Sequence, residues 1–218
     1  MAAMKTLFAL PLLLALAAPV TFAAEPASQP QRYRLVGEPD VASELILHSD
    51  GRFQYFLSAG ALDEQSEGRW IREGNMIRLT TMPKPKPAVF SAGAAERDTA
   101  APFTIKVTWP DGRGIAGVDL RVTFDSGEPA TGYTQEYGWS LDADEKRNPR
   151  SIAFAVPMHA LRSQNFPIDA VRANRLTFVL TPNDLGIVDF ESLPLTVSKD
   201  RLVMHRGGGE LAYVRQRP

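Results

Sequence analysis

The sequence predicts an all-β fold, on three observations. Apolar and polar residues alternate over short stretches, turn-forming pairs separate those stretches, and beyond the N-terminal segment no long run repeats with helical period. Tyr33–Val36 reads as a strand, Leu45–Tyr55 as a hairpin about the Asp50-Gly51 turn, and Glu73-Gly74-Asn75 turns the chain into Ile77 and Leu79. "FTIKVTW" puts Phe103, Ile105, Val107 and Trp109 on one face and Thr104, Lys106 and Thr108 on the other. After Pro110-Asp111-Gly112 the pattern repeats in Val118, Leu120, Val122 and Phe124, then in Ile152, Phe154 and Val156. Leu176, Phe178 and Leu180 give a further strand, and so do Leu193, Leu195 and Val197. Gly207-Gly208-Gly209 marks a last turn, and residues 157–173 have room for one short helix.

Residues 1–23 read as a secretory signal peptide: Lys5, an apolar run from Leu7 to Val20, then Thr21 and Ala23 at the −3 and −1 positions. Pro11 and Pro19 interrupt the run, which is shorter than the ~18 residues of a membrane span, so an anchor is the weaker reading. Translation can start at Met1 or Met4. The expected location is therefore periplasmic or secreted, with no membrane span after cleavage. The chain has no cysteine, which excludes disulfides, thiolate metal sites, a cysteine nucleophile and a lipoprotein anchor. Its 24 Lys+Arg against 25 Asp+Glu form no dense basic stripe, so nucleic acid is not an expected partner.

Composition marks two breaks. Thr80–Pro102 is rich in Pro and Ala and lacks alternation, and reads as a partly extended linker, narrowest at 92–102. "TPNDLG" (Thr181–Gly186) is a turn cluster between two strands.

Residues 33–80 carry Leu45 and Leu47, Asp50-Gly51, Phe53 and Tyr55, Gly68 and Trp70, and Ile77 and Leu79. This order resembles the small lipocalin-like half-barrel modules of bacterial envelope proteins. The block that follows in such modules is missing after Thr81, and its pattern reappears in Phe190, Asp200, Leu202, Tyr213 and Arg215. The resemblance implies a small lipocalin-like β-barrel split in sequence, from 31–91 and 187–218. Two consecutive domains are the simpler alternative. Residues 103–186 begin with Gly114-Ile115, Gly117-Val118, Gly132, Thr134 and Gly138, which resembles a transthyretin-like or carboxypeptidase-regulatory-like β-sandwich. The whole chain resembles exported bacterial proteins that combine these modules, and that resemblance brings no activity with it.

Catalytic motifs are sparse. His48, His159 and His205 lack metal-site spacing, and Asp142, Asp144 and Glu145 match a calcium loop at only two positions. No Gly-x-Ser-x-Gly elbow occurs, and "RGGGE" leads into a strand where phosphate binding needs a helix N-terminus. No cofactor and no metal is expected. The resemblance makes Trp70, Arg215, Tyr213, Phe53 and Tyr55 the ligand or closure candidates, with Arg215 stacked on a floor tryptophan, Trp70. Tyr133 and Tyr137, which flank Thr134 together with Trp139, are candidates for a partner surface. Asn183 and Asp184 are site candidates or turn caps.

Three functional classes stay open: an exported binding module for a protein, glycan or small apolar ligand; an envelope hydrolase with Asp, Glu and His assembled from distant strands; and an envelope assembly or stress accessory factor. A concave cluster of carboxylates with His159 favours the second. A barrel filled by its own side chains points to a scaffold or interaction protein.

Overall fold

The computed structural model describes residues 29–217; the signal peptide read in residues 1–23 lies outside them. The chain is all-β, with five strands first: β1 (Gln31–Val36), β2 (Val41–Leu47), β3 (Arg52–Ala59), β4 (Leu62–Glu73) and β5 (Met76–Thr81). Then come β6 (Val89–Glu96), β7 (Thr104–Thr108), β8 (Asp119–Phe124), β9 (Ala130–Tyr133), β10 (Trp139–Ser140) and β11 (Pro149–Val156). After a 3-10 turn at Pro157–His159 follow β12 (Leu161–Arg162), β13 (Phe166–Pro167), β14 (Arg175–Thr181), β15 (Leu193–Ser198), β16 (Arg201–Arg206) and β17 (Gly209–Arg215).

Eight strands close an antiparallel barrel in the order β1-β17-β16-β15-β5-β4-β3-β2. Strands from near both ends of the chain meet twice: β1 pairs β17 with Tyr33 opposite Arg215, and β5 pairs β15 with Leu79 opposite Leu193. Closure leaves the barrel no open edge. The alternation in the sequence sets which side chains point inward: Tyr33, Leu45, Leu47, Phe53, Tyr55, Ile77, Leu79, Leu195, Leu202, Met204 and Tyr213 are all buried.

β4 pairs β5 only from Gly68 onward. Its first half is flanked instead by the returning chain, where Gln65 donates to Gly186 O and accepts from Val188 N, both at 2.9 Å. Gly68 sits where β4 passes from one neighbour to the other. A Cβ there would lie 2.1 Å from Thr80 O, so the backbones approach too closely for any side chain.

Between β5 and β15 the chain forms two further sheets, β10-β7-β14-β6 and β12-β11-β8-β9, the latter with β13 also on β11. They pack over one core in which Phe90 stacks on Phe154 at 5.2 Å and Phe178 meets Phe154 edge-on at 4.8 Å.

Two expectations are corrected. Residues 89–96 are neither the end of the barrel block nor linker; they form β6 against β14. "VFSAGAAE" is mostly small residues on a sheet edge, so it shows little alternation, and pairing with β14 imposes the strand. The short helix expected within 157–173 reduces to the 3-10 turn at Pro157–His159. Ala160 adopts φ 51°, which ends that turn, and β12 and β13 follow.

Candidate functional site

The barrel's interior is filled by side chains, among them Phe190, which enters at one end on the segment that returns from the two outer sheets. Phe190 packs on Tyr55 (ring centroids 5.0 Å, edge-on) and Phe53 (6.1 Å) and is 3% exposed. Thr81 fixes it: Thr81 N donates to Phe190 O at 2.9 Å, and Phe190 N donates to Thr81 Oγ1 at 2.7 Å. Thr81 Oγ1 gives its own proton to Val188 O (2.9 Å), so Ser66 Oγ, 2.8 Å away, donates to it.

One end of the barrel carries a polar network. Glu64 on β4 and Arg206 on β16 both point inward and form a two-pronged ion pair, with Arg206 Nη2 2.8 Å from Glu64 Oε1. Arg206 Nη1 also donates to the Tyr55 hydroxyl at 3.3 Å, and its guanidinium lies 5.8 Å from the Phe190 ring centre. Ser43 Oγ donates to Phe56 O at 2.6 Å, which leaves Tyr213 to donate to Ser43 at 2.8 Å. Burial pushes both phenols up from their ordinary range, so Tyr55 and Tyr213 stay protonated at neutral pH. No buried side-chain nitrogen or oxygen among the described residues lacks a hydrogen-bond partner.

The sequence-predicted candidates separate. Phe53, Tyr55 and Tyr213 are core residues of the barrel. Trp70 and Arg215 do not stack. Their strands lie on opposite sides of the barrel order, Arg215 is exposed, and Trp70 is held by its indole N–H on His48 O at 2.9 Å. The arginine that sits over a barrel aromatic is Arg206, at the other end. Asn183 and Asp184 do more than cap their own turn: Asn183 Nδ2 donates to Pro87 O and Asp184 Oδ2 accepts from Lys86 N, each at 2.8 Å. They tie the two crossings between barrel and outer sheets together. Thr134 is buried, donating to Ile115 O at 2.6 Å, whereas Tyr133 and Tyr137 stand out at 60% and 81% exposure. Trp139 is half-buried against the core of the outer sheets.

Glu64, Arg206 and Phe190 were not among the expected site residues. The signal existed for the first two: Glu64 shares the parity of Leu62, Ser66 and Trp70 on a β4 stripe that ends in the exposed Arg72, and Arg206 shares the parity of Leu202 and Met204, so a charge stands on each inward stripe, of opposite sign.

Two open depressions flank this end. A groove of 790 Å³ lies at the rim of β1–β4, lined by the inward-facing Leu35, Leu57 and Glu64 and by Phe56, Gln65 and Leu185. A cleft of 580 Å³ lies between the barrel and the outer sheets, lined by His159, Asp184, Asp189, Glu64 and Arg206 among others. Every one of those carboxylates is engaged: Asp184 on Lys86 N, Asp189 with Lys84 at 3.4 Å, and Glu64 with Arg206. No group of three metal-ligating side chains occurs among the described residues. No family model, curated protein or solved structure matches this chain.

Proposed function

We propose that this chain is an exported, non-catalytic binding or interaction protein of the bacterial cell envelope. In that reading its barrel is a lipocalin-like module split in sequence, and residues 89–181, with β6 added to the block expected from 103, are an inserted transthyretin-like sandwich. The observation that carries the functional part is the filled barrel: Phe190 and the buried aromatic and aliphatic side chains occupy the lumen where a small apolar ligand would sit. Binding then falls to the exposed rim of the barrel, where a groove of 790 Å³ lies beside Phe56, which is 45% exposed. Export rests on the pattern of residues 1–23.

Two measurements on the mature chain test this. An apolar fluorescent probe is expected to show no saturable binding, and a photo-crosslinking residue at position 56 is expected to give a discrete adduct in envelope extract that the same residue at Ser91 does not. Saturable probe binding that quenches Trp70, or no adduct at position 56, would overturn the reading. The hydrolase alternative draws on one observation, His159 sharing a cleft with carboxylates. Turnover of an ester or glycoside substrate that His159→Ala abolishes would install it instead.

A further inference from the structure

The outward face of the sheet β12-β11-β8-β9 carries an ordered set of side chains that the core does not use. Its strand registers place Tyr133 beside Asp119, Asp119 beside Ala155, and Ala155 beside Arg162, so these four form one row across four strands. The next row places Thr131 beside Arg121 and Arg121 beside Ala153. On the same strands Leu120, Val122, Ile152 and Phe154 point the other way into the core. At one strand spacing per step, the row from Tyr133 to Arg162 extends roughly 14 Å.

Three features of this face point to a ligand of particular chemistry. Ala153 and Ala155 leave its middle without long side chains, and a groove of 500 Å³ runs over them. Tyr133, a residue 60% exposed, stands at one side of that groove. Arg121, Arg162 and Asp119 border it, and none of them makes an ion pair among the described residues. An aromatic face accepts the electropositive C–H edge of a sugar ring. A carboxylate accepts hydrogen bonds from ring hydroxyls, and a guanidinium fork engages a carboxylate with two parallel bonds. With two such forks and one aspartate, the excess charge of the face is positive.

We propose that this face binds an acidic oligosaccharide, with Tyr133 stacking on one ring and Arg121 and Arg162 holding uronic carboxylates. The proposal deepens the reading of the chain as an envelope binding protein and rests on it. It places the ligand on the outer sheet, away from the groove at Phe56.

Trigalacturonic acid is the probe, with maltotriose as the neutral control, titrated calorimetrically against the mature chain. Saturable binding of trigalacturonic acid is expected, with maltotriose at least about tenfold weaker, as loss of a charge-assisted hydrogen bond implies. Tyr133→Ala and Arg162→Ala are each expected to weaken binding by a similar factor, and Arg121→Lys to weaken it less. All three positions are exposed, so melting temperatures should stay at the wild-type value. No binding of trigalacturonic acid, equal binding of maltotriose, or affinity unmoved by Tyr133→Ala and Arg162→Ala would each overturn the proposal. The adduct at position 56 reads a different surface, so failure here and failure of the broader reading remain distinguishable.

Discussion

Arg206 and Glu64 lie 142 residues apart in the chain and meet as a two-pronged ion pair inside one end of the barrel. Their side chains are only 28% and 12% exposed, so neither charge is well solvated without the other. Arg206→Ala and Glu64→Ala are each expected to lower unfolding stability by about 2–4 kcal/mol, because each strands a half-buried charge. The double variant should cost clearly less than the sum. Urea unfolding of the four proteins measures this, and additive losses would show the pair to be uncoupled.

Phe190 is the plug of the barrel. Phe190→Ala is expected to cost about 3–5 kcal/mol, the usual penalty for emptying a phenylalanine site in a packed core. The cavity it leaves is lined by Phe53 and Tyr55. That variant should therefore take up an apolar probe that the wild-type chain excludes. Wild-type and variant chains binding the probe alike would mean that Phe190 does not fill the lumen.

Trp70 and Arg215 make separate contributions. Trp70 is anchored on His48 O, and Arg215 is an exposed residue paired in register with Tyr33. Trp70→Ala and Arg215→Ala should add to within about 0.3–0.5 kcal/mol in a double-mutant cycle. A larger coupling would restore the stacked pair that the lipocalin-like pattern suggests.

Glu145 titrates low. The Arg147 guanidinium, and then the Arg147 backbone N–H, hold its carboxyl at about 2, against an ordinary value of 4.5. A carboxyl depressed in the folded state contributes its stability above the unfolded pKa and loses it as pH falls. The contribution is thus complete above pH 4.5 and drains away toward about pH 2. Carboxyl-carbon NMR should show Glu145 titrating near the lower value, and Glu145→Gln should flatten this part of the acid-unfolding curve. Titration at the ordinary value would contradict the contact.

The barrel strands were legible because their inward positions alternate without interruption: Leu45, Leu47, Phe53 and Tyr55 on one side of the Asp50-Gly51 turn and the other, Leu202 and Met204 later. β6 was not, since Ser91, Ala92, Gly93, Ala94 and Ala95 carry no contrast of size or polarity and owe their extended state to β14. The Gly68-Arg69-Trp70 tripeptide was visible but its role was not. The glycine answers a backbone crossing near Thr80, and the tryptophan answers a carbonyl at His48, and both are tertiary relations. The polar network was hidden for the same reason: a charge on one inward stripe gains meaning only beside its partner on another. Phe190 stood outside any alternating stretch, so its burial depends wholly on where the returning chain passes.

The barrel's connectivity also sets a timetable. A chain made from its N-terminus completes β1 through β5 long before β15, β16 and β17 exist, and in that interval β1 and β5 present raw hydrogen-bonding borders. Residues 89–181 can assemble their own sheets meanwhile, since β6 through β14 pair only among themselves. Ring closure is thus the last act of synthesis and the one with the longest reach along the chain, which makes it slow. Any product that stops short of β17 is left with open borders, the kind that recruit a neighbour's strand.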